Sequence, residues 1–228
     1  MNVYFTGLQA PLLVDEQAVS VLEVHNRALF ARLSGSLMSG AGADAVEPYT
    51  IWGSDGEELS PSGQFLAVTC PLDLPWGNKA LSSGLASHVE QLMFEDEGAR
   101  RDVEDAFALL RSRLCQLALS LESEYAFDIN WELKRYLRTY GFGVELVDDE
   151  PLLDKLIKFL ALVKDASLNK VILFVNLKLF LTENELELFY EQAFFSKLRI
   201  LLVENAYDAL RYERERKYVI DQDFLESW

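Results

Sequence analysis

Four carboxylates, Glu122, Glu124, Asp128 and Glu132, stand close together in the chain. Their spacing puts them where one helical tract ends, across a short connector, and at the start of the next helix. Carboxylates brought together at a turn repel one another unless a cation or solvent lies between them. A hard cation such as calcium takes roughly six to eight oxygens, from carboxylates and backbone carbonyls. The spacing is not that of an EF-hand loop, so two readings stay open. One is a hard-cation site. The other is a solvated acidic turn in which Asp128 or Glu132 favours a helix N-terminus through the dipole.

The cations that could meet phosphate are Lys79, the pair Arg100 and Arg101, and the group Lys134, Arg135 and Arg138. Lys134 and Arg138 are four residues apart and share one helix face. Taken singly, each fits a solvated helix face as well as a nucleic-acid contact. The usual phosphate chemistry is missing. Gly35 and Gly40 have the spacing of GxxxxGK[ST], but Ala41 follows where a lysine must reach the phosphates. No GxGxxG follows a strand. His25 and His88 have neither metal spacing nor a nucleophile beside them, so histidine-assisted catalysis has little support. Cys70 and Cys115 are flanked by apolar residues and are expected to be buried free thiols in a reducing compartment.

The whole chain is acidic. Its 228 residues carry 37 acidic and 21 basic side chains, a formal net charge of −16. Such a chain does not stick to nucleic acid everywhere, so DNA binding needs the cations gathered on one surface. Half the residues are hydrophobic, enough for a sizeable core. The first residues, MNVYFTGLQAPLLVDE, lack a basic n-region, and no apolar stretch is long enough to span a bilayer. A cytoplasmic protein is expected.

The elements that would position these groups follow from hydrophobic pattern. VILFV (171–175) and ILLV (200–203) are solid apolar runs, as in strands of a parallel sheet covered on both faces. They end on Asn176 and on Glu204 and Asn205, at the strand ends where ligands gather in such sheets. An enzyme reading would put a nucleotide there. Thr182 and Glu185 form a capping box that opens a helix, and Asp149 with Pro151 suits another helix start. Residues 19–24 read as a strand followed by a helix over 26–33, and residues 34–45 as a flexible loop. Residues 49–53 and 64–70 read as a hairpin around a Gly, Ser and Pro-rich turn. A long helical tract runs over 79–122 with a break near Gly98. Val103, Phe107, Leu110, Leu114, Leu117 and Leu121 recur along it at helical spacing. A helix over 131–140 stops at Gly141 and Gly143 and gives way to a strand, VEL. Residues 211–217 alternate in sign and read as solvent-facing.

The stretches LIKFLALVK, VILFVN, LFLTENELELFYE and ILLVEN, with LESEYAFDINWELKRYLRTYGFGVEL before them and VIDQDFL at the end, resemble the ring-forming accessory protein of type II-A CRISPR adaptation in its short form. The resemblance covers the chain in layout, with specific wording after about residue 121. It implies an α/β fold. A parallel-sheet head resembling a nucleotide-binding core without a phosphate loop, residues 1–75 and 141–228, would carry an extended helical leg, residues 76–140. It implies a homotetrameric ring that binds double-stranded DNA ends without sequence readout and is not an enzyme. It also implies calcium held among Glu122, Glu124, Asp128 and Glu132. The ring would act in spacer acquisition beside the CRISPR integrase proteins and the RNA-guided nuclease, with no membrane partner. Family rings are lined with lysines; here the lining would be Lys79, Arg100, Arg101, Lys134, Arg135 and Arg138, mostly arginine. The acidity also suits an alternative, a protein-interaction scaffold of the adaptation complex with little DNA affinity of its own.

Overall fold

The computed structural model describes residues 1–127 and 131–228. Asp128, one of the four carboxylates, lies outside the described residues. The first third holds β1 (Asn2–Phe5), β2 (Leu12–Leu13), β3 (Val19–Val24), α1 (Arg27–Ser39), β4 (Tyr49–Trp52), β5 (Glu58–Leu59) and β6 (Phe65–Val68). The helices α2 (Lys79–Glu95), α3 (Glu97–Ala118) and α4 (Leu133–Thr139) follow. Then come α5 (Leu152–Asp165), β7 (Val171–Val175), α6 (Glu183–Phe195), β8 (Ile200–Glu204), β9 (Glu215–Ile220) and β10 (Glu226–Ser227).

The chain divides into two compact units. One comprises Met1–Trp76, Leu146–Lys164 and Asn169–Trp228, and contains both sheets. Its six-stranded sheet has the order β10-β9-β3-β8-β7-β6, and its four-stranded sheet the order β2-β1-β4-β5. In the larger sheet β9, β3, β8, β7 and β6 run parallel, and β10 pairs antiparallel with β9. The solid apolar runs become strands buried on both sides. Leu22, Val24, Leu201, Val203, Val171 and Leu173 face a core shared with Val3, Phe5, Tyr49 and Ile51 of the small sheet and Leu29, Leu33 and Leu37 of α1. On the other face Phe174 meets Phe189 of α6 edge-on at 5.7 Å between ring centroids. Thr182 caps α6 with the reciprocal Thr182–Glu185 bonds of a capping box, which satisfies donors the first turn would leave open.

The other unit comprises Gly77–Glu145 and Asp165–Leu168. The long helical tract breaks at Asp96, which ends α2 and whose side chain caps α3 by accepting from Ala99 N. Within this unit α2 passes close to the backbone at Ala166. A Cβ at Gly84 would lie 2.3 Å from the Ala166 carbonyl oxygen. His88 Nδ1 lies 2.6 Å from the carbonyl oxygen of Asp165. This histidine is structural.

Several expectations are corrected. Residues 34–39 belong to α1, which ends at Gly40 in the left-handed region (φ 64°). Ser34 and Ser36 are buried there, and small side chains let the helix sit close on the sheets. The hairpin over 49–70 does not form. β4 pairs with β1 and β5, while β6 joins β7 in the other sheet. Gly and Pro mark a turn but not the strand's partner. No strand forms over VEL; residues 143–147 lie outside any regular element. The helix expected over 131–140 is shorter, Leu133–Thr139. Cys70 and Cys115 are free, as expected, but exposed. Apolar sequence neighbours do not bury a thiol on α3, a helix without a single buried residue. The alternating charges near the end face solvent only in part, at Arg211 and Glu213. Glu215, Arg216 and Lys217 open β9, which lies against β3, and Lys217 is buried.

Candidate functional site

The parallel strands appear in the chain as β3, β6, β7, β8, β9 but lie in space as β9-β3-β8-β7-β6. The order reverses at β3, so the crevice for a ligand falls at the carboxyl ends of β3 and β8. That crevice is closed by the protein's own hydrogen bonds. Asn205 N donates to Asn176 Oδ1 at 3.0 Å, and Asn205 Nδ2 to the Val24 carbonyl at 2.7 Å. At the N-terminus of α1, Asn26 Oδ1 accepts from Ala28 N and Leu29 N. A phosphate loop would use donors of this kind for its anion. His25 Nε2 lies 2.7 Å from Glu23 Oε1, and its ring meets that of Tyr207.

Beneath α6 lies a buried ionic network. Lys178 Nζ donates to Asp208 Oδ2 at 2.7 Å and to Glu215 Oε1. Lys217 Nζ donates to the carbonyls of Asp208 and Leu210 at 2.8 and 2.6 Å and lies 3.6 Å from Glu23 Oε2. Tyr190 OH donates to Glu215 Oε1 at 3.1 Å. Glu204 Oε1 accepts from Lys178 N at 3.2 Å, while its Oε2 is buried with no hydrogen-bond partner among the described residues. Burial pushes the Glu204 carboxyl up to about 8, against the backbone N–H groups and ammonium that favour its charge, so it is protonated at neutral pH. Burial opposes charge on Lys178 too, but the hydrogen bonds it donates to Asp208 and Glu215 outweigh it and hold the ammonium above its ordinary value. Burial and the nearby Glu215 raise Tyr190 well above the phenol range. The network ties the chain between β8 and β9 to the sheet.

The cations expected to meet phosphate lie on the helical unit, and half are already paired. Arg100 Nε is 3.7 Å from Glu104, Arg101 2.5 Å from Glu97, and Lys134 Nζ 2.7 Å from Glu90. Lys79 is exposed at the first position of α2, after its cap Asn78. Arg135 and Arg138 are exposed on α4 and make no ion pair among the described residues. Of the carboxylates, Glu122 and Glu124 are exposed on the connector and Glu132 is exposed at the start of α4. Among the described residues no three His, Cys, Asp or Glu side chains form a group that could hold a metal ion.

One feature of the helical unit escapes a residue-by-residue reading of the sequence. A cavity of about 400 Å³ opens between α3, α4 and the connector. Phe107, Phe127, Trp131, Tyr136 and Tyr140 form much of its wall. Its signals were the four-residue spacing of Tyr136 on α4 and Tyr140 at its end, and the stripe through Phe107, Leu110 and Leu114 on α3.

The model of a CRISPR-associated family, Cas_Csn2, matches residues 44–224. The chain belongs to the Csn2 family. A crystal structure, that of Stu0660 of Streptococcus thermophilus, shares the fold with a TM-score of 0.60. That similarity covers 97% of this chain and 74% of Stu0660 at 15% sequence identity. No curated protein sequence matches. Family membership places the Csn2 chain among the accessory proteins of CRISPR adaptation, an antiviral defence. Among the described residues of this Csn2 chain, no helix is long and apolar enough to cross a membrane.

Proposed function

We propose that four copies of this chain close into a ring that holds double-stranded DNA ends during spacer acquisition, beside the integrase proteins and the RNA-guided nuclease. The observation that carries self-assembly is α3. None of its twenty-two residues is buried, yet Leu109, Leu110, Leu114 and Leu117 are large, apolar and exposed. Monomeric proteins rarely leave so long an apolar surface uncovered. Ring closure also multiplies a small set of cations. Lys79, Arg135 and Arg138, free of ion pairs among the described residues, become twelve in a ring of four chains, to which Arg100, Arg101 and Lys134 add.

Calcium is the cofactor that the connector suits. Glu122, Glu124, Asp128 and Glu132 are all oxygen donors, the preference of a hard cation. When bound, the ion would neutralise their mutual repulsion and stiffen the connector. The protein acts without catalysis in this reading, supported by the strand-end crevice that Asn26, Asn176 and Asn205 close from within. A second reading is a scaffold that binds partner proteins through the apolar face of α3 and has little DNA affinity. The net charge of −16 favours it.

A titration of linear against circular duplex, with and without calcium, separates them. The ring reading expects linear duplex to bind tighter. The log of affinity should fall against the log of salt with a slope of about −0.9 per phosphate neutralised. A chelator should weaken both the tetramer and the binding. A scaffold leaves linear duplex unshifted at any salt.

A further inference from the structure

We infer that the aromatic cavity of the helical unit takes an unpaired nucleobase, and so reads a frayed or overhanging DNA end. The inference rests on the DNA reading above and says how an end is told from duplex interior. Phe107 and Trp131 stack at 3.8 Å between centroids, and Tyr136 meets Phe107 edge-on at 5.1 Å. Tyr140, 74% exposed, sits 4.6 Å from Tyr136. The Arg111 guanidinium lies 5.3 Å from the centre of the Phe127 ring. Five of the ten residues around the cavity are aromatic, and its volume of about 400 Å³ falls in the range of small-ligand sites.

The decisive detail is Trp131. Its Nε1–H is buried and has no hydrogen-bond partner among the described residues, although a buried indole N–H is normally satisfied. An aliphatic helix laid in the cavity offers no acceptor. A nucleobase offers a π-face to the rings and carbonyl or ring-nitrogen acceptors to the indole. Arg135 and Arg138, exposed on the helix that carries Tyr136 and ends at Tyr140, supply charge for the adjoining phosphates. Base-paired interior DNA exposes no such face, and closed circles have no terminal base to offer.

The test compares the whole protein on three labelled duplexes of equal length: blunt, with a three-nucleotide overhang, and with the same overhang made abasic. The base-bearing overhang should bind roughly tenfold tighter than the abasic one, the scale of base–aromatic stacking. Tyr140→Ala and Trp131→Phe should each erase most of that difference. Trp131→Phe keeps an aromatic ring and removes the indole donor with part of the stacking area. Neither should change the salt slope on blunt duplex. Equal affinity for base-bearing and abasic overhangs overturns the inference and leaves duplex binding standing. So does dissociation of the DNA-free assembly by Tyr140→Ala, which would assign the cavity to a second copy. If the wild type binds none of the duplexes, the DNA reading fails and takes this inference with it.

Discussion

Glu204 has the most consequential environment of any single residue. It ends a central strand, fully buried, with one oxygen on the Lys178 backbone and the other unpartnered among the described residues. Near it are Glu23, Glu215 and Asp208, against Lys178 and Lys217 among the described residues, with His25 on Glu23. A fourth charge in that space would raise the acid excess, so the proton stays. Because its folded pKa is raised to about 8, the folded state keeps a proton that the unfolded chain releases near the ordinary carboxylate value. Stability from this group is therefore fully present below about pH 4.5 and falls until about pH 8, by on the order of 5 kcal/mol. Asp208 works with the opposite sign. Burial opposes its charge, but the Lys178 hydrogen bond keeps its pKa lowered, so its contribution is lost as pH falls into the acid range. The prediction is a stability maximum on the acid side of neutral, measured by denaturant unfolding across pH. Glu204→Gln, neutral at every pH, should flatten the decline between pH 5 and 8 and be more stable than the parent at pH 8. A parent curve flat over that interval would mean Glu204 is ionised and otherwise satisfied.

Elements were legible where packing on both faces or a cap left a periodic mark. β7, β8 and the capping box of α6 stand where their residues put them, because a doubly covered strand must be apolar throughout and a cap needs Thr and Glu three apart. α1 was misread past its middle. Ser and Gly look like a loop, but the small, buried side chains of Ser34 and Ser36 are what let a helix approach two sheets. β9 was misread because its first residues are charged, and the lysine and glutamates that neutralise one another in the core are far apart in sequence. The connector carboxylates and the aromatic cavity share that limit: a list of residues shows the donors or rings and not which of them converge. Glycine shows the same dependence on surroundings, and gives opposite predictions in two helices. In α1, a Cβ at Gly35 would meet nothing within 4 Å. Gly35→Ala should raise stability by about 0.5–1 kcal/mol, the backbone entropy difference. In α2, a Cβ at Gly84 would strike the Ala166 carbonyl at 2.3 Å. Gly84→Ala should lose about 1–3 kcal/mol by overpacking, more than the propensity gain returns. Thermal unfolding of the two variants checks both signs. A stabilised Gly84→Ala would mean that α2 does not press on the backbone at Ala166.

At the scale of the whole molecule, the charge of −16 pulls assembly and DNA binding in opposite directions. Bringing four acidic chains together costs repulsion that salt screens. The Debye length is about 30 Å at 0.01 M and about 8 Å at 0.15 M, so the proposed ring should tighten as salt rises from the lower value. Phosphate binding does the reverse, since counterions released from DNA make added salt unfavourable. If DNA is held by the ring and not by the single chain, the two trends combine. Apparent affinity for a linear duplex should rise from very low salt, pass through a maximum, and then fall with the counterion-release slope. Calcium at the connector would remove part of the acidic charge and shift that maximum to lower salt. Titrations over a salt series, paired with light scattering at each point, read both halves of the argument. The tetramer fraction and the rising limb should coincide. An affinity that falls monotonically from the lowest salt, with no change in particle mass, would show that a single chain binds the duplex and that closing a ring adds nothing to it.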